Sequence, residues 1–185
     1  MLGVVALVLV LVLLLVVSLY NRLIRLRNGT DNAFATVDVQ LKQRCDLIPK
    51  VVDAVRGYMT HERGVLERLT ELRARATAAG TPAAERVALD AQMGGLLRGL
   101  VARVEAYPDL KASDTVLMLQ RSLNEIEAQI AAARRSYNAA VTAYNTGIET
   151  VPANLVAGML GFTRRPLFAA TADERAVPEI GSLAR

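Results

Sequence analysis

The side chains that could carry out chemistry are few and lie apart along the chain. Cys45 is the only cysteine and His61 the only histidine. His61-Glu62 begins like the helix of a zinc protease, but residue 65 is valine where that motif has its second histidine. Because one histidine and one cysteine do not supply the usual ligand set of a zinc site, we predict no metal site.

Cys45 and His61 are also too far apart to act as a nucleophile and its base. Sixteen residues of straight helix span about 24 Å, far beyond hydrogen-bond distance. Cys45 falls on an apolar helical stripe, which favours a buried, unreactive thiol. The serines have no nucleophile-elbow context, and no glycine-rich phosphate loop precedes a helix. We therefore predict no enzyme, no catalytic residue, no cofactor and no small-molecule substrate.

A second group of polar residues is better suited to structure or recognition. Two Tyr-Asn pairs repeat at an interval of seven residues, so their rings share one helix face. Buried tyrosine hydroxyls need hydrogen-bond partners, which nearby amides or charged groups would supply. One interpretation is a structural polar network that fixes helix register, and the other is a groove for a partner segment. The candidate residues are Arg44, Asp46, Tyr137, Asn138, Tyr144 and Asn145.

An N-terminal apolar segment must position all of these groups. Residues Leu2–Leu19 carry no charge and are almost all Leu, Val or Ala. As a helix this run spans roughly 27 Å, close to the hydrocarbon thickness of about 30 Å. We predict an uncleaved transmembrane anchor; the alternative is a secretory signal, although the chain lacks a basic start. The predicted membrane-interface residues are Tyr20, Arg22, Arg25 and Arg27.

Orientation follows from the three arginines that come after the apolar run. No Lys or Arg precedes it. The positive-inside bias then predicts an external N-terminus and a cytoplasmic C-terminal domain in a single-pass protein. The arginines can also contact anionic headgroups, at roughly 1 kcal/mol each.

Composition predicts an all-α chain with one domain after the anchor. The formal net charge is only +4 and is spread along the sequence, so we predict no nucleic-acid partner. A single thiol suits a reducing cytoplasm. We divide the chain into an anchor with its basic cluster at 1–24, a helical bundle at 25–162 and an irregular tail at 163–185.

Glycine and proline divide the bundle into helices. Residues 30–79 carry an apolar stripe at steps of three and four, and Pro49 should kink it. This region is one long bent helix or two helices. Residues 82–106 form the next helix, whose Gly94, Gly95 and Gly99 indicate close helix approach or a hinge.

The clearest periodicity lies at residues 113–147. A coiled-coil-like seam runs over about five heptads, and one of its two positions shrinks from Leu119 to Gly147. The partner helix should therefore come closest at Gly147. Beyond it, residues 151–162 are apolar and predict a short helix packed on the bundle or lying on the membrane. Residues 169–185 look irregular.

The chain resembles the LemA family of bacterial membrane proteins over nearly its whole length. The matching strings are Tyr20-Asn21-Arg22-Leu23, Leu26-Arg27-Asn28, Asp38-Val39-Gln40-Leu41-Lys42, Arg44, Asp46-Leu47-Ile48-Pro49, Gly57-Tyr58, His61-Glu62-Arg63, Glu105-Ala106-Tyr107-Pro108-Asp109-Leu110-Lys111-Ala112, Tyr137-Asn138, Tyr144-Asn145 and Glu149-Thr150-Val151-Pro152-Ala153-Asn154. The resemblance implies one transmembrane helix followed by an up-and-down four-helix bundle, and it implies no reaction. It departs from the family at Phe34, where tryptophan is expected.

Two functions fit these expectations. The first is a non-enzymatic interaction or scaffold protein, anchored at the cytoplasmic face of a bacterial inner membrane. The second is self-assembly that organises or shapes the membrane, suggested by the heptad seam, the glycines and the apolar-basic tail. Expected partners are membrane lipids through the anchor, and either another protein or further copies of the chain.

Overall fold

The structure, a computed structural model, describes residues 1–168. Within that range all regular secondary structure is helical, which confirms the predicted fold class. The helices are α1 (Leu2–Val55), α2 (Arg63–Thr77), α3 (Ala83–Val104), α4 (Pro108–Lys111), α5 (Asp114–Glu149) and α6 (Ala153–Met159). The irregular segment predicted at 169–185 lies outside the described residues.

The helices form two compact units. The first, named the membrane-proximal unit because it includes the apolar run, contains Met1–Thr30 and, of the described residues, 137–168. The second, the central unit, contains Asp31–Ser136. Helices α1 and α5 contribute residues to both.

Helix α1 begins as an apolar rod. It is long and apolar enough to cross a membrane. Its most apolar stretch of 18 residues has a mean hydropathy of 3.4, and none of that stretch is buried. Leu2–Val17 present large exposed side chains to the surroundings, Leu13 for example at 62% exposure. A membrane anchor is the function that such a surface suggests.

The stripe predicted at 30–79 forms two helices rather than one continuous rod. Helix α1 accommodates Pro49 in its interior and ends at Val55. The break at residues 56–62 contains Gly57, and glycine has a low helix propensity. Helix α2 resumes at Arg63 and buries Leu66, Leu69 and Leu72.

The core of the central unit gathers the apolar faces of α1, α2 and α3 and the start of α5. Seventeen buried residues form this cluster, from Cys45 to Leu119. Leu110 of α4 is 1% exposed and packs into this core. Of the three glycines of α3, Gly94 meets a neighbour, because an added Cβ would lie 3.0 Å from Arg44 Nη1. A Cβ added at Gly95 or Gly99 would have no such neighbour within 4 Å, so the predicted close approach of another helix is wrong at these two positions.

The membrane-proximal unit has a smaller core. Leu23 of α1, Tyr144 and Ile148 of α5, and Ala153, Val156 and Ala157 of α6 are buried together. An added Cβ at Gly147 would lie 2.7 Å from Leu26 Cδ1. Helices α1 and α5 therefore come into close contact at this glycine, as the shrinking seam predicts.

Candidate functional site

The Tyr-Asn repeat of α5 binds the chain's own tail. Residues 163–168 follow α6 without regular secondary structure and lie along α5 in the membrane-proximal unit. Four side chains of α5 make the polar contacts, namely Tyr137, Asn138, Tyr144 and Asn145. We call this set of contacts the tail ladder.

Each asparagine of the tail ladder holds one backbone residue with two hydrogen bonds. Asn145 donates from Nδ2 to the Arg165 carbonyl at 2.9 Å and accepts from the Arg165 N–H at 3.0 Å. Asn138 does the same for Phe168, at 3.1 Å and 2.8 Å. Each amide satisfies both polar groups of one peptide residue, as a neighbouring β-strand would.

Each tyrosine donates one hydrogen bond to the same segment. The Tyr144 hydroxyl donates to the Thr163 carbonyl at 2.9 Å, and the Tyr137 hydroxyl donates to the Pro166 carbonyl at 3.3 Å. The two rings are 2% and 9% exposed, so their hydroxyls need such partners.

The tail ladder matches a seven-residue repeat on α5 to a three-residue repeat on the tail. Seven residues separate the equivalent donors on α5, and three separate their partners on the tail. Seven helical residues rise about 10.5 Å, and three extended residues span about 10 Å. Because the two distances agree, one heptad of helix is in register with three residues of extended chain.

Side-chain contacts add to the backbone contacts. The Arg165 guanidinium lies 5.7 Å from the centre of the Tyr144 ring and donates to the hydroxyl of buried Thr30. The Phe168 ring lies 4.8 Å from the Tyr137 ring. The polar contacts of the tail ladder recognise backbone, whereas these contacts recognise particular side chains.

The central unit contains a different polar site, the ionic cluster of Arg44, Asp90, Glu127 and Arg134. Arg44 Nη1 donates to Asp90 Oδ1 at 2.9 Å, and Arg134 Nη2 donates to Asp90 Oδ2 at 3.2 Å. Arg44 also binds Glu127, which Arg98 contacts from the solvent side at 3.0 Å. The Arg44 and Asp90 side chains are 4% and 1% exposed.

Burial dominates the protonation of Asp90. Loss of solvent raises the pKa of the Asp90 carboxyl above its ordinary value of 3.8, although Arg44 and Arg134 oppose the shift. Burial likewise raises the pKa of the Cys45 thiol, and the nearby Asp90 carboxylate adds to this shift. Cys45 is 4% exposed within the apolar core, as the stripe predicts. His61 lies exposed in the break between α1 and α2.

The structure does not bring all six predicted network residues together. Tyr137, Asn138, Tyr144 and Asn145 form the tail ladder, but their partners are backbone groups of the tail. Arg44 belongs to the ionic cluster instead. Asp46 binds Lys42 at 2.7 Å as an exposed i, i+4 pair on α1.

The predicted interface residues lie on successive turns of α1 just after the apolar run. Tyr20 is 40% exposed, and its ring makes an edge contact with Phe162, with ring centres 6.2 Å apart. The Arg27 guanidinium lies 5.7 Å from the centre of the same Phe162 ring. Arg22 and Arg25 are exposed.

Sequence reasoning missed Asp90 and the tail residues as functional groups. Asp90 lies three residues before Met93, on the same buried face of α3 as Met93, Leu97 and Leu100. A charged residue on an apolar stripe is a signal that a buried counter-charge must exist. Thr163 and Pro166 contribute only carbonyl groups to the tail ladder, so no side-chain motif could have identified them.

Comparison with known proteins places these features in a family. The LemA family model matches residues 33–181. Protein LemA of Metamycoplasma hominis is 30% identical over 155 residues, covering 84% of this chain and 71% of that protein.

Magnetosome proteins are also similar. MamQ 1 and MamQ 2 of Paramagnetospirillum magneticum are each 26% identical over 174 aligned positions, covering 80% of this chain and 64% of either protein. The chain thus spans less than two thirds of the length of these two relatives. MamQ of Magnetospirillum gryphiswaldense is 35% identical over 79 residues, 43% of this chain.

The family match covers nearly all of the central unit, the tail ladder and its tail segment, and it includes the shared strings from Asp38 onward. The chain belongs to the LemA family.

Proposed function

We propose that the chain is a non-enzymatic, membrane-anchored scaffold that presents helical surfaces to other proteins. It crosses a bacterial inner membrane once, with its N-terminus outside and the remaining helices in the cytoplasm. The three arginines after the apolar run support that orientation through the positive-inside bias.

The observation that carries the proposal is the absence of a linker between the apolar part of α1 and its first packed turn. Leu19 and Leu26 pack against the core of the membrane-proximal unit, and Leu23 is fully buried in it. Packing therefore begins within two residues of Val17, the last exposed aliphatic side chain of the apolar run. A protein built this way holds its membrane-proximal unit at a fixed distance from the bilayer, as a scaffold requires.

The reactive side chains support a non-enzymatic role. The Cys45 thiol is enclosed by apolar side chains, and the increase in its pKa disfavours the thiolate that nucleophilic chemistry needs. His61 is exposed in the break between α1 and α2. Hydrolytic turnover by the purified full-length protein, abolished by substitution of one of its residues, would contradict this part of the proposal.

The scaffold proposal is tested by native mass analysis of the full-length protein extracted with its surrounding lipids. The expected result is a stoichiometric complex with a foreign polypeptide. Reconstitution from the purified components should restore the same ratio. A large homo-oligomer would contradict the scaffold proposal.

The orientation is tested with single cysteines on a Cys45→Ala background. Lys42→Cys places a thiol at a position where the lysine side chain is 74% exposed. A membrane-impermeant maleimide should label it in lysed cells but not in intact spheroplasts. A cysteine added before Met1 is the matched control, and it should be labelled in both. The opposite labelling pattern would reverse the orientation.

A second candidate function is self-assembly that organises the membrane. It is favoured by the exposed apolar residues around α6, among them Leu155 and Leu160 at 66% and 54% exposure, and by the resemblance to proteins named as magnetosome proteins. This function predicts a homo-oligomer that Leu155→Ser with Leu160→Ser disperses. The scaffold function predicts that the same double variant keeps its foreign partner.

A further inference from the structure

The segment around α6 has one apolar face that the protein leaves uncovered. We call it the α6 apolar face, and its residues are Val151, Leu155, Met159 and Leu160, exposed by 79%, 66%, 86% and 54%. Leu155 and Met159 are four residues apart within α6, so they lie on the same side of that helix, while Val151 and Leu160 flank its two ends. Full burial of side chains of this size is worth about 1.5–3 kcal/mol each, so exposure to water is unfavourable.

The opposite side of α6 packs against the end of the anchor. Ala153, Val156 and Ala157 are buried with Leu23 of α1, and Leu19 packs on the same cluster. The edge contact between Phe162 and Tyr20 fixes the segment after α6 to the first residue past the apolar run. The α6 apolar face therefore lies close to the level at which α1 leaves the hydrocarbon.

The distribution of charged residues also supports a position of the α6 apolar face near the membrane surface. Residues 151–163 contain no Asp, Glu, Lys or Arg. The nearest charges on either side are Glu149 and Arg164, which pair with each other at 3.2 Å. An uncharged segment can enter the headgroup region without stripping water from an ion. The exposed arginines Arg22 and Arg25 follow Tyr20 by two and five residues along α1, where lipid phosphates would contact them.

We propose that α6 is a second membrane contact that lies in the interface of the same bilayer that the anchor crosses. The α6 apolar face enters the boundary between headgroups and acyl chains, continuous with the apolar surface of Leu2–Val17. Such interfacial segments bury their apolar side by about 5–10 Å. The inference rests on the proposed anchor, because α6 is held at the membrane by α1.

The chain contains no tryptophan, so a single added tryptophan reports its own surroundings. We would place the full-length protein in nanodiscs, one chain per disc, made with lipids brominated near the headgroup end of the acyl chains. The probe is Leu155→Trp. Met118→Trp, at a residue 60% exposed on α5 in the central unit, is the matched control.

Leu155→Trp should emit at shorter wavelength than Met118→Trp and lose most of its emission in brominated lipid, while Met118→Trp loses little. Equal emission and equal quenching at the two positions would overturn the inference. A shift to shorter wavelength without bromine quenching would also overturn it, since protein and not lipid would then cover the face.

A third variant separates this inference from the proposed anchor. Leu13→Trp, within the apolar run, should be quenched by bromines placed deep in the acyl chains. If Leu13→Trp is quenched and Leu155→Trp is not, the anchor stands and the α6 contact fails. If Leu13→Trp is not quenched, the anchor fails and the α6 contact fails with it.

Discussion

The ionic cluster and the tail ladder both place polar groups within the helical packing, but the ionic cluster uses charged side chains and the tail ladder uses neutral ones. In the ionic cluster, charged side chains of three helices satisfy one another, and Asp90 is almost wholly enclosed. In the tail ladder, neutral side chains of α5 satisfy the backbone of an extended segment. A buried charge has no substitute for its partner, whereas a backbone released from the ladder can bind water. The two sites should therefore respond very differently to loss of one side chain.

The largest expected effect is that of Arg44→Met. This variant leaves the buried Asp90 carboxylate with one arginine instead of two. Breaking a buried ion pair by removing one partner typically costs about 3–5 kcal/mol. Chemical denaturation of the full-length protein in mild detergent, followed by circular dichroism, measures the free energy of unfolding.

Arg98→Met is the matched control, because Arg98 binds the same Glu127 from the exposed side. Exposed pairs contribute about 0–1 kcal/mol, so this variant should be nearly neutral. Equal losses from the two variants would show that burial does not determine the strength of the cluster. A double variant, Arg44→Met with Asp90→Leu, should recover part of the stability, because the buried carboxylate that lost one of its two arginines is then absent.

Asn145→Ala is expected to have an intermediate, local effect. It removes both hydrogen bonds to Arg165, and unsatisfied backbone groups cost about 1–3 kcal/mol when they stay buried. The tail can lift to reach water, so the loss should appear as faster amide hydrogen exchange at residues 163–168. Asn124→Ala, at an exposed position of α5, is the control and should leave exchange in the tail unchanged. Global unfolding in Asn145→Ala would contradict the comparison.

Tyr144→Phe should have a smaller effect of the same kind. It keeps the ring beside Arg165 and removes the hydroxyl that donates to Thr163, worth about 0.5–1.5 kcal/mol. Tyr137→Phe should lose less, since its hydrogen bond is 3.3 Å long against 2.9 Å for Tyr144. Hydrogen exchange at the Arg165 amide ranks the two variants, and the reverse order would show that these lengths do not report bond strength.

The smallest expected effect is a pH dependence that belongs to the ionic cluster alone. Because the folded pKa of Asp90 is raised above 3.8, the folded protein binds more protons than the unfolded chain between those two values. Stability of the native protein relative to Asp90→Asn should therefore fall as pH rises through that window, and become constant above it. If this relative stability rose with pH instead, Arg44 and Arg134 would lower the pKa of Asp90 by more than burial raises it. Asparagine amides do not titrate, so Asn145→Ala should shift stability equally across this range.

The sequence predicted the helices and their buried faces better than it predicted which residues contact those faces. The stripe on α1, the seam on α5 and the close contact at Gly147 follow from periods of three, four and seven, which depend on local geometry. The break after Val55 does not follow from the period, because the apolar phase continues across Gly57 and Gly64. Periodicity identifies the buried face of a helix but not the residue that opposes it.

The polar sites illustrate this limit. The sequence marked Tyr137 and Tyr144 as buried and in need of partners, and both are. It assigned those partners to side chains, although the structure uses carbonyl groups, which are present at every residue and leave no trace in a sequence. Arg44 binds Asp90, forty-six positions away along the chain. That pairing depends on how α1 and α3 pack.

The sequence by itself determined that this protein is all-helical, begins with an apolar helix of membrane length and belongs to the LemA family, because helix propensity, hydropathy and local strings are properties of neighbouring residues. Only the tertiary structure decided that the Tyr-Asn repeat holds the tail, that Asp90 lies between two arginines and that α6 packs beside Tyr20. Those contacts join residues far apart in the chain, and their geometry is set by the packing of whole helices.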